Sequence, residues 1–126
     1  MSLPKNLRYT KNAWVRIDAD KAAIGVTDSA LKATKEIVFI ELPKVGQDVK
    51  KGQELLVLES IKWSGRISSP LSGEVTKVND SLFDDPSELN KDPYGAWVCE
   101  MKLSQPNEVD SLMDAASAEE QASDNR

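Results

Sequence analysis

Leu55-Leu56-Val57-Leu58-Glu59-Ser60-Ile61-Lys62-Trp63-Ser64-Gly65-Arg66-Ile67 is the stretch on which the fold turns. The run at 55–58 is apolar enough for a strand buried on both faces, and Ile67 resumes the apolar signal after the break. Residues 60–65 are therefore predicted to form the exposed end of a hairpin, with Lys62 at its centre. Burying an ammonium is costly, so exposure of Lys62 follows on energetic grounds. Taken alone, a lysine at a turn is an ordinary solvated side chain. Its neighbours are less ordinary. Hairpin tips favour Asn, Asp or Gly, yet here Ile61 and Trp63 bracket the lysine. Two exposed apolar groups beside a cation do nothing for solubility. They suit a lysine converted to a neutral amide with a hydrophobic arm, or a tip covered by a partner.

Working outward, Pro43, Gly46, Val49, Gly52 and Leu55 recur every third residue with polar residues between. The two glycines suggest tight turns at positive φ, with Val49 dipping once into the core. Upstream, Trp14-Val15 with Ile17 and Ala23-Ile24-Gly25-Val26 read as strands joined by a turn at Asp18–Lys21. Asp28 is placed to cap a short helix over 29–33. Ile37-Val38-Phe39-Ile40 reads as a strand closed by Pro43. Downstream, Pro70-Leu71-Ser72-Gly73 is a turn, Val75 and Val78 mark a strand, and residues 96–103 alternate as the last strand. Asp85-Pro86 opens a single helical turn through Asn90. Ser104 is placed to cap a final helix that carries Val109, Leu112 and Met113 on one face. From Asp114 onward no large apolar side chain remains, and the tail is expected to be disordered. The resulting organisation is a lead at 1–8, one domain at 9–113 and a tail at 114–126. Many short strands with little helix point to a mainly β flattened barrel or sandwich.

The bulk properties narrow the function. With 126 residues, 40% apolar and 29% charged, the chain suits one soluble domain. A net charge of -5 argues against nucleic acid and anionic membrane as partners and would suit docking onto basic surfaces. Histidine is absent, which removes the usual general base and the commonest zinc ligand. Cys99 is the one cysteine, so no intramolecular disulfide forms, and a buried apolar role suits it better than a reactive one. No segment is long enough to span a bilayer, and the start lacks a signal or transit pattern. A monomeric, cytoplasmic protein that is not an enzyme and holds no metal is the expectation.

At this point the sequence resembles the H protein family of the glycine cleavage system, lipoyl carriers with the barrel-sandwich hybrid fold shared by lipoyl and biotinyl domains. The likeness runs from about Tyr9 to Met113. It is carried by Tyr9-Thr10-Lys11 with Trp14-Val15, by Gly25-Val26-Thr27-Asp28-Ser29-Ala30, and by Ile37-Val38-Phe39-Ile40-Glu41-Leu42-Pro43 with Gly46. Glu59-Ser60-Ile61-Lys62, Ser69-Pro70-Leu71-Ser72-Gly73-Glu74-Val75, Val78-Asn79, Leu89-Asn90 and Asp92-Pro93-Tyr94-Gly95 complete it in order. The resemblance implies lipoate bound covalently to Lys62, with Glu59 and Gly73 needed by the lipoylating enzyme; the exposed flanks Ile61 and Trp63, by their own chemistry, are expected to form the arm and partner surface. Implied partners are a lipoate ligase or lipoyl transferase, glycine decarboxylase, an aminomethyltransferase and dihydrolipoyl dehydrogenase. The arm would shuttle an aminomethyl group among them.

Several positions depart from the family pattern. Asn12-Ala13-Trp14 stands where His-Glu-Trp is usual, and Trp63-Ser64-Gly65 where Ala-Ala-Ser follows the lysine. Thr34-Lys35-Glu36 replaces Leu-Gly-Asp. One residue fewer separates Gly95 from Trp97, and the aromatic residue often found after the Leu112-Met113-Asp114 match is missing. Such changes around the attachment site suit a change of partner. The alternative they raise is an H-like lipoate-binding carrier beside a heterodisulfide-reductase-like complex, bearing sulfur intermediates in sulfur oxidation. An unmodified interaction module and a cofactor-free enzyme using Glu59 and Lys62 are further readings. A biotin carrier fits poorly, because methionines usually flank its lysine.

Overall fold

The two strands joined by the turn at Asp18–Lys21 form a hairpin with two packed faces. Strands β2 (Ala13–Asp18) and β3 (Lys21–Val26) pair antiparallel from Ala13↔Val26 to Asp18↔Lys21. One face of this ribbon sends Ala13, Val15, Ala22, Ile24 and Val26 into the main core. The opposite face sets Trp14 across from Gly25, and the indole lies where a Cβ on Gly25 would come within 2.1 Å of it. Only glycine admits that approach. The indole N–H then donates to the Pro93 carbonyl at 2.9 Å.

The computed structural model describes residues 3–124. Its larger sheet has the order β1 (Arg8–Tyr9), β2, β3, β9 (Cys99–Leu103), β8 (Gly73–Val78) and β5 (Asp48–Val49). A smaller sheet contains β4 (Phe39–Glu41), β6 (Glu54–Glu59) and β7 (Ser64–Ser68). Ile24, Val75 and Met101 of the first share one core with Ile40, Leu56, Leu58 and Ile67 of the second. This is the flattened barrel-sandwich expected from the sequence, built from two sheets and without barrel closure. Leu55 to Leu58 are all buried, as the unbroken apolar run requires. Gly46 and Gly52 do turn at φ +90° and +88°, with Val49 buried between them.

The end of the chain corrects the sequence reading. Residues 115–124, part of the segment expected to be disordered, form helix α4 (Ala115–Asp124), and residues 125–126 lie outside the described residues. Ala115 and Ala118 pack on Leu7, Tyr9 and Trp14 against the outer face of the larger sheet. The bulk is supplied by the sheet's aromatic residues, so alanines suffice on the helix, where they also have the highest propensity. The Asp114 carboxylate accepts from the Ser117 N–H at 2.9 Å, a capping contact that holds this carboxyl below its ordinary pKa. Residues 3–8 of the lead are likewise part of the fold. Leu7 is buried, and the Pro4 carbonyl accepts from the Tyr9 hydroxyl at 2.6 Å.

Other local expectations shift by a residue or more. Thr27, not Asp28, caps helix α1 (Asp28–Thr34) by accepting from the Ala30 N–H, while Asp28 pairs with Lys32 at 3.0 Å. The helix expected after Ser104 is a 3-10 helix, Pro106–Ser111, in which Val109 stands three residues before Leu112, the residue that closes it. Met113 departs from their face and bridges Tyr9 instead. The turn expected at 85–90 appears as α3 (Glu88–Lys91), preceded by a helical turn α2 (Ser81–Asp84) that the sequence did not suggest.

Candidate functional site

β6 and β7 run in register to Leu58↔Gly65 and Glu59↔Ser64, which leaves Ser60–Trp63 as the tip. The Ser60 N–H donates to the Trp63 carbonyl at 2.8 Å. The Trp63 N–H returns to the Ser60 hydroxyl at 3.1 Å, in place of a second backbone bond. Ile61 and Lys62 are thus the two residues of the loop itself. Neither takes positive φ, which explains why the tip needs no glycine or asparagine and tolerates a β-branched residue. Ile61 is 88% exposed and Trp63 61%. Lys62 is exposed and makes no ion pair among the described residues.

The root of the hairpin is backed by α1. Gly65 faces Thr34, whose hydroxyl oxygen would lie 3.2 Å from a Cβ placed on that glycine. The chain leaves α1 through Lys35 at φ 75°, ψ -157°, a region that L residues enter only under strain. Asn90 holds it there. Its side-chain amide donates to the Lys35 carbonyl at 3.1 Å and its oxygen accepts from the Ile37 N–H at 3.0 Å. Sequence reasoning missed these supporting roles of Gly65, Thr34 and Asn90. Asn90 was visible only as part of a quoted motif, and its contact with residues 35–37 spans too much chain to be read locally.

The residues singled out from sequence divide in two. Glu59, Ile61, Lys62 and Trp63 come together at the tip. Glu59 ends β6 with an exposed side chain, and its carbonyl accepts from the Val38 N–H at 2.8 Å. Gly73 lies apart from them. It opens β8, pairs with Leu103 and Val49, and is separated from the tip by the whole of β7 and a four-residue turn. A Cβ at Gly73 would come within 2.3 Å of the Lys102 carbonyl oxygen.

The remaining chemistry is quiet. Cys99 is buried in the core, and burial pushes its thiol up to about 12, so it is held as a neutral apolar group. No cluster suited to a metal ion occurs among the described residues. No helix of the described residues is long and apolar enough to cross a membrane. A cavity of about 610 Å³ lies between α1, the turn at 10–12 and α4, lined in part by Asn12, Asp28, Lys32 and Tyr94; no tip residue lines it.

Fold and site together define a class: a two-sheet β domain that presents one lysine on a rigid hairpin. Residues 7–125 match the family model described as glycine cleavage H-protein. The chain is 45% identical over 117 residues to the glycine cleavage system H protein of Myxococcus xanthus (strain DK1622), covering 91% of each. It is 43% identical over 117 residues to the glycine cleavage system H protein 2 of Pseudomonas aeruginosa, again covering 91% of each. The crystal structure of a glycine cleavage system H protein from Mycobacterium marinum matches with a TM-score of 0.87 at 30% identity, covering 96% of this chain and 99% of that one. The chain belongs to the glycine cleavage H-protein family.

Proposed function

We propose that this chain is a lipoyl carrier of a glycine cleavage system, with lipoate bound through an amide to Lys62. The observation that carries the reading is the tip itself. Ser60 and Trp63 close a two-residue loop that holds an exposed lysine clear of the sheet, between two apolar side chains that solubility alone does not explain. Those residues fit an acylated lysine: the amine is accessible to a modifying enzyme, and loss of its charge leaves an apolar tip.

When bound, the lipoyl group supplies a disulfide that accepts an aminomethyl group and is later regenerated. The chain's own contribution is mechanical. β6 and β7 hold the anchor, α1 and Asn90 brace its root, and docking raises the effective concentration of the tethered group in each partner's site. A lipoate ligase or lipoyl transferase would load Lys62. Glycine decarboxylase, aminomethyltransferase and dihydrolipoyl dehydrogenase would then use it in turn, and Glu59 at the strand end is the residue placed to guide loading. The chain itself is not the catalyst. Every relative named above is a glycine cleavage system H protein, and none supports the sulfur-oxidation alternative.

Intact-mass measurement of protein from its native host tests the reading. One lipoyl group above the sequence mass, absent in Lys62→Arg, is expected. An unmodified mass would return the chain to the class of interaction modules. Trp63→Ala should alter partner binding more than loading, measured as lipoylation rate against affinity for each enzyme; the reverse pattern would exchange the two roles.

A further inference from the structure

The corner between α1 and β4, residues 34–38, meets both strands of the lysine hairpin just below its loop. On the β7 side Thr34 faces Gly65, its hydroxyl oxygen 3.2 Å from where a Cβ on that glycine would stand. On the β6 side the Val38 N–H donates to the Glu59 carbonyl at 2.8 Å. Leu58↔Gly65 and Glu59↔Ser64 are the last two rungs before the loop at Ser60–Trp63. The corner thus supports the hairpin at the rungs from which Lys62 is held out.

That corner is not relaxed. Lys35 stands at φ 75°, ψ -157°, in a region that belongs almost wholly to glycine. On one side of the strained residue α1 is fixed, for the Lys35 N–H still donates to the Leu31 carbonyl at 2.8 Å. On the other side Ile37 is buried in the main core. Between these fixed points one half-buried side chain on α3, Asn90, takes two backbone groups at once. Its amide N–H donates to the Lys35 carbonyl at 3.1 Å, and its oxygen accepts from the Ile37 N–H at 3.0 Å. A carboxamide suits the pair because it offers donor and acceptor side by side, and the two partners fix which way it faces.

Resting on the carrier reading above, we infer that Asn90 is a positioning residue for the loading of Lys62. By holding Lys35 in its costly conformation, it fixes where Val38 leaves the corner and keeps the Val38–Glu59 hydrogen bond beneath the loop. Without the clamp Lys35 falls back to negative φ, which redirects residues 36–38 and withdraws Val38 from β6. The loop then samples several orientations, and a loading enzyme meets the competent one only part of the time. Such a loss lowers the fraction of chains ready to dock, so it raises KM and leaves kcat unchanged. The strain also supplies a signature. The clamp is needed only because residue 35 is strained, and glycine there removes the need for Asn90.

The test loads the full-length unmodified chain with lipoate, ATP and a purified lipoate ligase, follows the gain in mass, and reads amide exchange of the same variants by NMR. Asn90→Ala should raise the KM for the chain about fivefold at unchanged kcat, and speed exchange of the Val38 amide by about the same factor. Asn90→Asp keeps the acceptor for Ile37 and loses the donor to Lys35, so it should fall between. Lys35→Gly alone should load like the wild type. Combined with Asn90→Ala, it should bring both readouts back to within about twofold of wild type. All these variants should keep the wild-type circular dichroism; if Asn90→Ala does not fold, Asn90→Asp with and without Lys35→Gly carries the same comparison. A wild-type KM in the Asn90 variants overturns the inference. So does a KM raised equally with and without Lys35→Gly, which would make Asn90 a direct contact of the ligase. A raised KM with an unchanged Val38 amide has the same consequence. A wild-type chain that gains no lipoyl mass strikes the carrier reading beneath; a loaded wild type with no difference among the variants strikes this inference alone.

Discussion

The two ends of β7 carry residues from the same family pattern and use them in opposite ways. At one end Lys62 stands exposed on a loop closed by three hydrogen bonds between Ser60 and Trp63. Roughly 13 Å of strand away, the chain turns at residues 69–72 into a closed interior. Leu71 is fully buried there, and Ser72 is gripped by Glu108, which accepts from its N–H at 2.7 Å and its hydroxyl at 3.0 Å. Gly73 follows, pressed on the Lys102 carbonyl. The glycine is required by space, since its φ is not in the left-handed region. The family pattern thus spans one exposed position, Lys62, and one architectural position, Gly73, joined by β7.

That contrast is broken most severely at Gly73. Gly73→Ala should lower stability by about 3 kcal/mol, seen as a fall in Tm on the order of 10 °C, because the methyl has no room without parting β8 from β9. If the variant is lipoylated normally while still folded, Gly73 acts on loading through the fold alone. A wild-type Tm together with lost loading would mean direct recognition. Glu108→Ala comes next, at about 1.5 kcal/mol by urea unfolding, since it strips a charged acceptor from two Ser72 donors. Near the tip the sign reverses. Lys35→Gly should raise stability by about 1 kcal/mol, because relief of the strained φ exceeds the entropy cost of glycine. The smallest effect belongs to Lys62→Ala: no measurable change in Tm and complete loss of lipoylation by mass spectrometry. A clear drop in Tm there would make Lys62 structural and erase the distinction between the two ends.

Local chemistry made most of this legible. The 55–58 run, the glycines at 46 and 52 and the turn at Asp18–Lys21 each report a backbone requirement in their own residues, and each appears where expected. The tip was legible because its apolar flanks contradict its position. What stayed hidden depends on distant surfaces. Ala115 and Ala118 look too small to anchor anything until Tyr9 and Trp14 are seen beneath them. Gly73 looks like a turn residue until Lys102, far along the chain, arrives beside it. The strain at Lys35 is visible only from the backbone, although the glycine usual in the family at that point was a clue to its conformation.

The burial contrast between Trp14 and Trp63 has a practical side. One indole is fully enclosed and bonded to a carbonyl, and the other stands in solvent next to Lys62. With Trp97 half-buried between these extremes, Trp14 should supply the most blue-shifted part of the emission and Trp63 the most red-shifted part. A nearby disulfide quenches an excited indole, so under the proposed lipoylation of Lys62 the reddest emission would report loading and reduction of the tether in solution. The chain comes with its own optical probe, placed one residue from Lys62.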